Sequence, residues 1–350
     1  MQLQQNISLK PYNSFAIEAR ARYFASFTDT ESLRELLSQA PKAKANAAVS
    51  RSKKTPAPTL ILGGGSNILF TSDFKGLVLK NEIRGIELVK EDKLHVYIKT
   101  GAGENWHQFV LHCIKRNWAG IENLSLIPGN VGASPMQNIG AYGVEIKEVF
   151  EELEAFHFSD KKVYTLTAND CQFGYRDSIF KNKYKGEMVI LSVTFRLNKL
   201  PKFNISYGQI KEELEKMKVS TLSIAAISQA VINIRSSRLP DPAKIGNAGS
   251  FFKNPVVTAG AFQRLKKIHP GIVGFENANA TVKLAAGWLI EQCGWKGYRK
   301  GDAGCHAEQA LVLVNYGSAT GVEIDELSEA IRKSVNERFG LLLEKEVNII

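Results

Sequence analysis

The chain has 350 residues, 44% of them hydrophobic and 23% charged, which is ordinary for a globular protein with two or three domains. No apolar run approaches the roughly 18 residues of a membrane span, so the sequence predicts none. The net charge is +10, but the basic residues are spread out and form no dense block interleaved with aromatics. We therefore expect acidic small molecules, and no nucleic acid, as ligands.

The start of the chain and its cysteines indicate a compartment. Residues 1–6 lack the basic and apolar regions of a signal peptide, so we expect a cytoplasmic protein. The cysteines contain no C-x-x-C pair, which favours reduced thiols and no metal site. They are Cys113, Cys171, Cys293 and Cys305.

Periodicity predicts mixed helices and strands in the first half of the chain. A helix over 29–40 begins at a capping box formed by Thr28 and Glu31. A surface insertion rich in Lys, Ala, Ser and Pro follows at 41–58. The further predictions are strands at 60–62, 77–79 and 94–98 and a helix over 105–116.

The second half is predicted in the same way and lacks a regular βαβ repeat, which favours α+β domains. A helix over 224–237 is broken by the proline-containing segment 239–242, which resembles a domain hinge. The other predicted elements are strands at 163–166, 188–193 and 310–314 and helices at 281–293 and 323–339.

Two glycine-bearing loops are the first candidates for a ligand site. They span 62–67 and 127–134. Neighbouring glycines let backbone amides converge on an anion, so two such loops suggest a long ligand with a central diphosphate, such as a dinucleotide. Neither loop matches the P-loop or Rossmann fingerprint, and either alone is also compatible with a simple tight turn.

Three polar segments are candidates for chemistry. Arg176 offers a planar fork of donors for a carboxylate or enolate, although an Arg176–Asp177 surface pair is the simpler alternative. Ser250 precedes two phenylalanines and is either a positioned proton donor or a turn residue. Glu344 and Glu346 share one face of a predicted final strand, either as functional carboxylates or as solvated charges.

Taken together, the motifs of this chain resemble those of the UDP-N-acetylenolpyruvoylglucosamine reductase family over nearly its whole length. A single motif of this kind has little specificity, whereas the ordered set is very specific. The matching segments are 13–15, 63–67, 101–106, 127–129, 137–143, 174–178, 249–255, 285–290 and 344–347.

The resemblance implies an α+β fold with an FAD-binding part of the vanillyl-alcohol-oxidase (PCMH) type. Residues 1–84 would form a first FAD-binding subdomain and 85–222 a second one, joined by a C-terminal strand at 338–350. Residues 223–337 would form a C-terminal α+β domain that binds the UDP-sugar. Tyr207 makes the chain resemble the longer of the two classes of the family, in which this tyrosine is a substrate lid.

The resemblance also implies site residues. Arg176, Ser250 and Glu346 correspond to the catalytic arginine, proton donor and catalytic glutamate. The implied substrate contacts are Tyr175, Tyr207, Arg238, Asn254 and Gln309. The implied cofactor contacts are Gly63, Gly64, Gly65, Ser66, Asn67, Pro128, Gly129, Val131, Gly132, Ala133, Ser134, Asn138, Gly140, Tyr142 and Gly143. Two positions depart from the pattern, since Arg238 replaces a usual lysine and Phe275 a tyrosine of some members.

The implied activity is the reduction of UDP-N-acetylglucosamine enolpyruvate to UDP-N-acetylmuramate in peptidoglycan synthesis. Non-covalent FAD would be the cofactor and NADPH the co-substrate, and we expect a monomer. One alternative is a flavin oxidase of the same fold that acts on a sugar or alcohol. A second alternative, from another class, is a basic nucleotide- or RNA-binding protein without catalysis.

Overall fold

The computed structural model describes residues 2–39, 58–277 and 279–350, so the predicted insertion lies outside the described residues except for Pro58. The helices in this part of the chain are α1 Thr30–Gln39, α2 Trp106–Lys115, α3 Ala168–Cys171, α4 Ile210–Lys216, α5 Ile224–Arg238, α6 Ala259–Ile268, α7 Ala286–Gln292 and α8 Gly321–Phe339. Short 3-10 helices occur at Lys10–Tyr12, Glu122–Leu124, Val131–Ala133, Pro135–Gln137 and Ile146–Glu148.

The strands of the described residues are mostly short. In chain order they are β1 Gln4–Ser8, β2 Arg20–Phe27, β3 Thr59–Leu62, β4 Ile68–Leu69, β5 Phe74–Asn81, β6 Ile86–Glu91, β7 His95–Gly101, β8 Gly140–Ala141, β9 Val144–Glu145, β10 Phe150–His157, β11 Val163–Thr167, β12 Met188–Asn198, β13 Gly246–Ser250, β14 Val256–Thr258, β15 Gly274–Glu276, β16 Thr281–Leu284, β17 Arg299–Lys300, β18 Ala303–Cys305, β19 Val312–Asn315 and β20 Asn348–Ile349.

The chain divides into two compact units. Unit 1 comprises Met1–Ile7, Ala21–Gly64 and Phe74–Ser237, and unit 2 comprises Ser8–Arg20, Gly65–Asp73 and Arg238–Ile350. One boundary falls at the end of α5, directly before the proline-containing segment that predicted a break. The division into three ligand-defined parts stays a prediction.

Unit 1 is built on an antiparallel five-stranded sheet with the order β11-β10-β12-β7-β6. Its central strand β12 is an almost continuous apolar run that is buried along most of its length, as expected where both faces are covered. A second sheet, β1-β2-β5-β3, pairs β5 in parallel with β2 and β3 and leads into the first glycine loop.

Helix α2 anchors the main core of unit 1. Asn105 caps it by accepting the backbone N–H of Gln108 at 3.0 Å. The rings of Trp106 and Phe109 pack on each other and on Phe195, with centroids 5.1–5.8 Å apart. The indole of Trp106 also donates to the carbonyl of Leu124 at 2.9 Å. This packing fixes the segment that leads into the second glycine loop.

Unit 2 contains the antiparallel sheet β13-β19-β18-β17 and the smaller sheet β14-β16-β15. Helix α8 begins at a capping box of Thr320 and Glu323 and ends at Gly340, which adopts a left-handed φ of 66°. Its buried residues Ile324, Ile331 and Val335 recur at helical spacing. These features match the predicted helix at 323–339.

Three predicted boundaries are wrong. Asp29 caps α1 in place of Thr28, because its carboxylate accepts the N–H of Ser32 at 2.7 Å. Residues 281–284 form β16 and not the start of a helix, since Val282 and Leu284 alternate as buried positions of a strand. The predicted final strand is reduced to β20, because the preceding residues bridge to a different segment.

Two further observations concern the described residues alone. None of their helices has both the length and the apolar character needed to cross a membrane. The four cysteines are free thiols, and all but Cys293 are buried.

Candidate functional site

The two glycine loops approach each other closely in unit 1. A Cβ atom added to Gly64 would lie 2.9 Å from the Cα of Gly129 and 3.0 Å from Oδ1 of Asn130. Asn130 is itself held because its Nδ2 donates to the carbonyl of Gly103 at 3.0 Å. Only glycine permits such an approach of two backbones. The proximity that a shared ligand requires is therefore present.

The second loop is largely satisfied by its own surroundings. Its amides at Val131, Gly132, Ala133 and Ser134 all donate to protein carbonyl groups. A Cβ on Gly132 would lie 2.6 Å from that of Ala102, so this glycine serves packing. The four amides therefore do not form the anion-binding concavity expected from the sequence, and their contact with a cofactor stays a prediction.

Arg176 lies in a turn that is braced by the segment 137–143. Its backbone has a left-handed φ of 53°, an unfavourable conformation for arginine that is typical of functional sites. Its Nη2 donates to the carbonyl of Gly140, and its Cζ lies 5.4 Å from the ring centre of Tyr175. The buried amide of Asn138 donates to the carbonyl of Gly174 at 3.0 Å. Residues predicted for catalysis, substrate and cofactor thus meet here.

Asp177 bears on the alternative of an Arg176–Asp177 surface pair. Both of its carboxylate oxygens lie 3.1 Å from the side-chain amide of Asn182, which donates to them. One oxygen also accepts the N–H of Ser178 at 2.9 Å. The carboxylate of Asp177 therefore has its own structural role, and Arg176 is half-buried rather than a solvated surface residue.

Tyr207 lies beside the turn formed by Tyr142 and Gly143. A Cβ on Gly143, whose φ is 79°, would lie 3.1 Å from the Cβ of Tyr207. The buried amide of Asn123 joins the two segments by donating to the carbonyls of Tyr142 at 3.0 Å and Asn204 at 2.8 Å. The side chain of Tyr207 is 41% exposed, and its role as a substrate lid stays a prediction. The sequence did not single out Asn123.

In unit 2, Ser250 and Glu346 lie on neighbouring backbone segments. The N–H of Glu346 donates to the carbonyl of Phe251 at 2.8 Å, and the N–H of Lys253 donates to that of Glu344 at 2.9 Å. Ser250 and Glu346 are half-buried, whereas Glu344 is exposed. The structure thus places the backbone segments that carry Ser250 and Glu346 next to each other, and the catalytic roles of the two residues stay predictions.

The first glycine loop continues into unit 2 and supports the same C-terminal segment. Gly65 has a φ of 62°, and a Cβ there would lie 1.9 Å from the carbonyl oxygen of Tyr12. Two residues later, Nδ2 of Asn67 donates to the carbonyl of Glu346 at 3.2 Å. The carbonyl of Asn67 accepts the N–H of Asn348 at 3.2 Å. Asn67 therefore has a structural contact with the segment that carries Glu346.

Two predicted substrate residues of unit 2 flank the start of α7. Oδ1 of Asn254 accepts the N–H of Ala286 at 2.9 Å and so caps the helix. Oε1 of Gln309 would lie 3.2 Å from a Cβ added to Gly287. Arg238 is exposed at the end of α5, and Phe275 is 46% exposed in β15.

A network of ion pairs fastens the C-terminal segment to α8. Nζ of Lys345 lies 2.6 Å from a carboxylate oxygen of Asp325 and of Glu329, and the side chain of Lys345 is only 17% exposed. Arg332 donates to both oxygens of Glu329 at 2.7 Å and, through Nε, to the carbonyl of Leu343 at 2.9 Å. The hydrogen bond from Lys345 is the largest cause that lowers the pKa of Glu329.

We expect Lys345→Met to lower the free energy of unfolding at pH 7 by about 1–3 kcal/mol, because it removes charge-assisted hydrogen bonds from a largely buried ammonium group. Since the folded-state pKa of Glu329 is lowered, this stabilisation is complete above the ordinary glutamate pKa of 4.5 and is lost as the pH falls below it. Urea unfolding at pH 7 and pH 3.5 tests both points. Lys333→Met is the matched control, because Lys333 lies on α8 and its side chain is 78% exposed. Equal losses for the two variants would contradict the prediction.

Like Asn123, Arg235 is a polar residue that the sequence did not single out. Arg235 lies in α5, and its Nε is buried without a hydrogen-bond partner among the described residues. The signal in the sequence is a cation within the apolar spacing of Ile227, Val231 and Ile234. No group of three or more His, Cys, Asp or Glu side chains suited to a metal ion occurs within the described ranges.

Two models of known protein families match an N-terminal and a C-terminal part of the chain. A model described as an FAD binding domain matches residues 37–166. A model described as the UDP-N-acetylenolpyruvoylglucosamine reductase C-terminal domain matches residues 241–350. A crystal structure of UDP-N-acetylenolpyruvylglucosamine reductase (MurB) from Thermus caldophilus aligns with a TM-score of 0.68 at 24% identity, over 100% of this chain and 99% of that one. The predicted fold class is thereby confirmed.

Curated relatives match over their full length. UDP-N-acetylenolpyruvoylglucosamine reductase of Amoebophilus asiaticus is 51% identical over 100% of both chains. The protein of the same name from Flavobacterium johnsoniae is 47% identical, again over 100% of both chains. The chain therefore belongs to the UDP-N-acetylenolpyruvoylglucosamine reductase family of oxidoreductases.

Proposed function

We propose that the protein catalyses the NADPH-dependent, FAD-mediated reduction of UDP-N-acetylglucosamine enolpyruvate to UDP-N-acetylmuramate, a step of peptidoglycan precursor synthesis. The observation that supports this proposal is the backbone bridge between 251–253 and 344–346, which holds the segments that carry Ser250 and Glu346 next to each other. A hydroxyl and a carboxyl group on adjacent segments suit proton delivery next to a developing enolate. The printed names of the relatives support the substrate.

Features of unit 1 fit a bound flavin dinucleotide. The approach of Gly64 to Gly129 leaves no space for a Cβ on Gly64, and the buried Nε of Arg235 lacks a partner in the described part of the chain. We propose that the first loop, the second loop and the segment 138–143 hold FAD without a covalent bond. Bound FAD would supply the hydride chemistry, with reducing equivalents from NADPH and delivery to the terminal carbon of the enolpyruvyl group.

The chain supplies charge stabilisation and a proton. Hydride addition leaves negative charge over the α-carbon and the carboxylate of the substrate, and we assign the guanidinium of Arg176 and the carboxyl of Glu346 to stabilise it. Glu346 would have to be protonated for this, as a carboxyl group that is shielded from water can be. The hydroxyl of Ser250 then protonates the α-carbon and sets the configuration of the lactyl group.

We assign substrate recognition to five residues. They are Tyr175, the exposed lid residue Tyr207, Arg238, Asn254 and Gln309. Arg238 keeps the positive charge of the usual lysine but changes the donor geometry. In this proposal the UDP-sugar domain is 223–337, and the two FAD-binding subdomains are 1–84 and 85–222 with the strand at 338–350.

The proposal includes a cytoplasmic monomer. The reductase activity is favoured over a flavin oxidase activity because the match to the C-terminal domain model spans the proposed positions of Ser250 and Glu346. A basic nucleic-acid-binding protein would account for neither this match nor the match to an FAD-binding domain.

We expect the purified protein to be yellow and to release its flavin when it is precipitated with acid. The reason is that the proposed contacts are hydrogen bonds and van der Waals approaches, and three of the four thiols are buried. The absorbance of the supernatant and of the redissolved pellet near 450 nm decides the matter. A flavin that remains with the pellet would contradict non-covalent binding. A colourless protein that does not bind added FAD would contradict the proposal that FAD is the cofactor.

A further inference from the structure

Arg235 is a cation on a buried side of α5. The helix packs Ile227, Val231 and Ile234 into a core cluster of unit 1, against which Tyr142 is also packed. Ser228 of the same helix pairs its hydroxyl with that of Ser125 at 2.8 Å. Ser228 and Arg235 are about two helical turns apart, so their side chains leave α5 on the same side.

The guanidinium of Arg235 has an incomplete set of partners. Its Nε is buried and has no hydrogen-bond partner among the described residues. Burial lowers the pKa of Arg235, and the nearby phenol of Tyr142 offsets part of this effect. The residue as a whole retains some exposed surface, which leaves an approach for a ligand. A buried N–H donor of a charged group that has no acceptor is unfavourable unless an anion completes its surroundings.

His107 is the other titratable neighbour of Arg235, and its imidazole supplies no negative charge. Its Nδ1 accepts the N–H of Leu126 at 3.0 Å. Burial, and then the charge of Arg235, lower the pKa of His107, so the imidazole is neutral at pH 7. Leu126 directly precedes the second glycine loop and has a left-handed φ of 59°. The neighbours of Arg235 are therefore the entry to that loop and the predicted cofactor residue Tyr142.

We propose that Arg235 is an anion-binding residue of the cofactor site, where an acidic group of the flavin dinucleotide completes its hydrogen bonds. This inference rests on the proposed function. Two groups of that ligand have the required chemistry: the diphosphate, and the pyrimidine edge of the ring, which gains negative charge on reduction. A guanidinium suits either one because it is planar and always charged.

The proposal predicts opposite effects on the empty and the loaded protein. Arg235→Met fills similar space without charge, so the FAD-free protein should be as stable as the parent or more stable in urea. FAD binding should be weakened at least about tenfold. Arg235→Lys, which keeps the charge, should bind more tightly than Arg235→Met. Arg116→Met removes an exposed cation of the same unit and should change none of these properties.

Two titrations distinguish the sources of the anion. If Arg235 contacts the diphosphate, quenching of FAD fluorescence will show a tenfold weaker affinity for oxidised FAD with an unchanged reduction potential. If it contacts the ring, the loss will fall on reduced FAD, and a tenfold loss corresponds to a potential about 30 mV lower.

Other results would overturn the inference. Unchanged affinity and potential in Arg235→Met, with normal binding by the parent, would remove Arg235 from the site and leave the proposed function intact. An FAD-free Arg235→Met that is less stable than the FAD-free parent, or that does not fold, would show that the guanidinium serves the fold alone. A parent that binds no FAD would overturn both this inference and the proposed function.

Discussion

Replacing Ser250 with alanine is expected to leave the reduction of FAD by NADPH nearly unchanged and to slow reoxidation by the enolpyruvyl substrate by at least about 10²-fold. A proton donor to the α-carbon of the substrate has no part in moving hydride to the flavin. Ser250 closes β13 and is followed by the buried Phe251 and Phe252, so its backbone is fixed by packing that alanine preserves. The loss should therefore be chemical and not structural.

Stopped-flow absorbance of each half-reaction alone measures the effect. Ser250→Cys should recover part of the second rate, because a thiol still donates a proton. Ser318→Ala, an exposed serine of the same unit, is the matched control and should behave as the parent. Equal slowing of both halves by Ser250→Ala would indicate a defect in the FAD site, and an unchanged second half would remove Ser250 from the mechanism.

Arg176→Lys is expected to reduce turnover by about 10²–10³-fold while FAD is still reduced by NADPH at a similar rate. Lysine keeps the charge but loses the planar fork that can hold the carbonyl of Gly140 and an anion at once. It would also occupy the same left-handed backbone position without the hydrogen bond that supports it.

Steady-state turnover, followed by the separate half-reactions, tests this prediction. Arg116→Lys makes the same exchange at an exposed position of unit 1 and should have no effect. Parent-like turnover of Arg176→Lys would leave Arg176 with only its structural contacts. A parallel loss of FAD reduction would shift its role from the substrate to the cofactor.

Local patterns predicted much of the fold. Helix α2 was predicted because its apolar spacing and its cap Asn105 lie within one short segment. Helix α7 was misjudged at its start, because its cap is the side chain of Asn254, which lies far away in the sequence. The final strand was overestimated because the C-terminal segment changes partners, pairing first near Phe252 and then with β4. Pairing partners of this kind are not encoded in local periodicity.

The candidate site shows the same limit. The motifs predicted Arg176, Ser250 and Glu346, but only tertiary contacts reveal that Asn123 joins two loops. The same holds for the buried Nε of Arg235, which has no hydrogen-bond partner in the described part of the chain. The glycines of the second loop predict backbone amides that converge on an anion, whereas four amides there hydrogen-bond to the protein itself. A glycine required for close packing and one required for a ligand have the same appearance in a sequence.

An anaerobic absorbance titration tests the central claim most directly. The protein as purified should show the spectrum of oxidised flavin, lose its absorbance near 450 nm on addition of NADPH, and regain it on addition of UDP-N-acetylglucosamine enolpyruvate with formation of one UDP-N-acetylmuramate per flavin. A flavin that NADPH does not bleach, or that regains its colour only when oxygen is admitted, would contradict the proposed reductase.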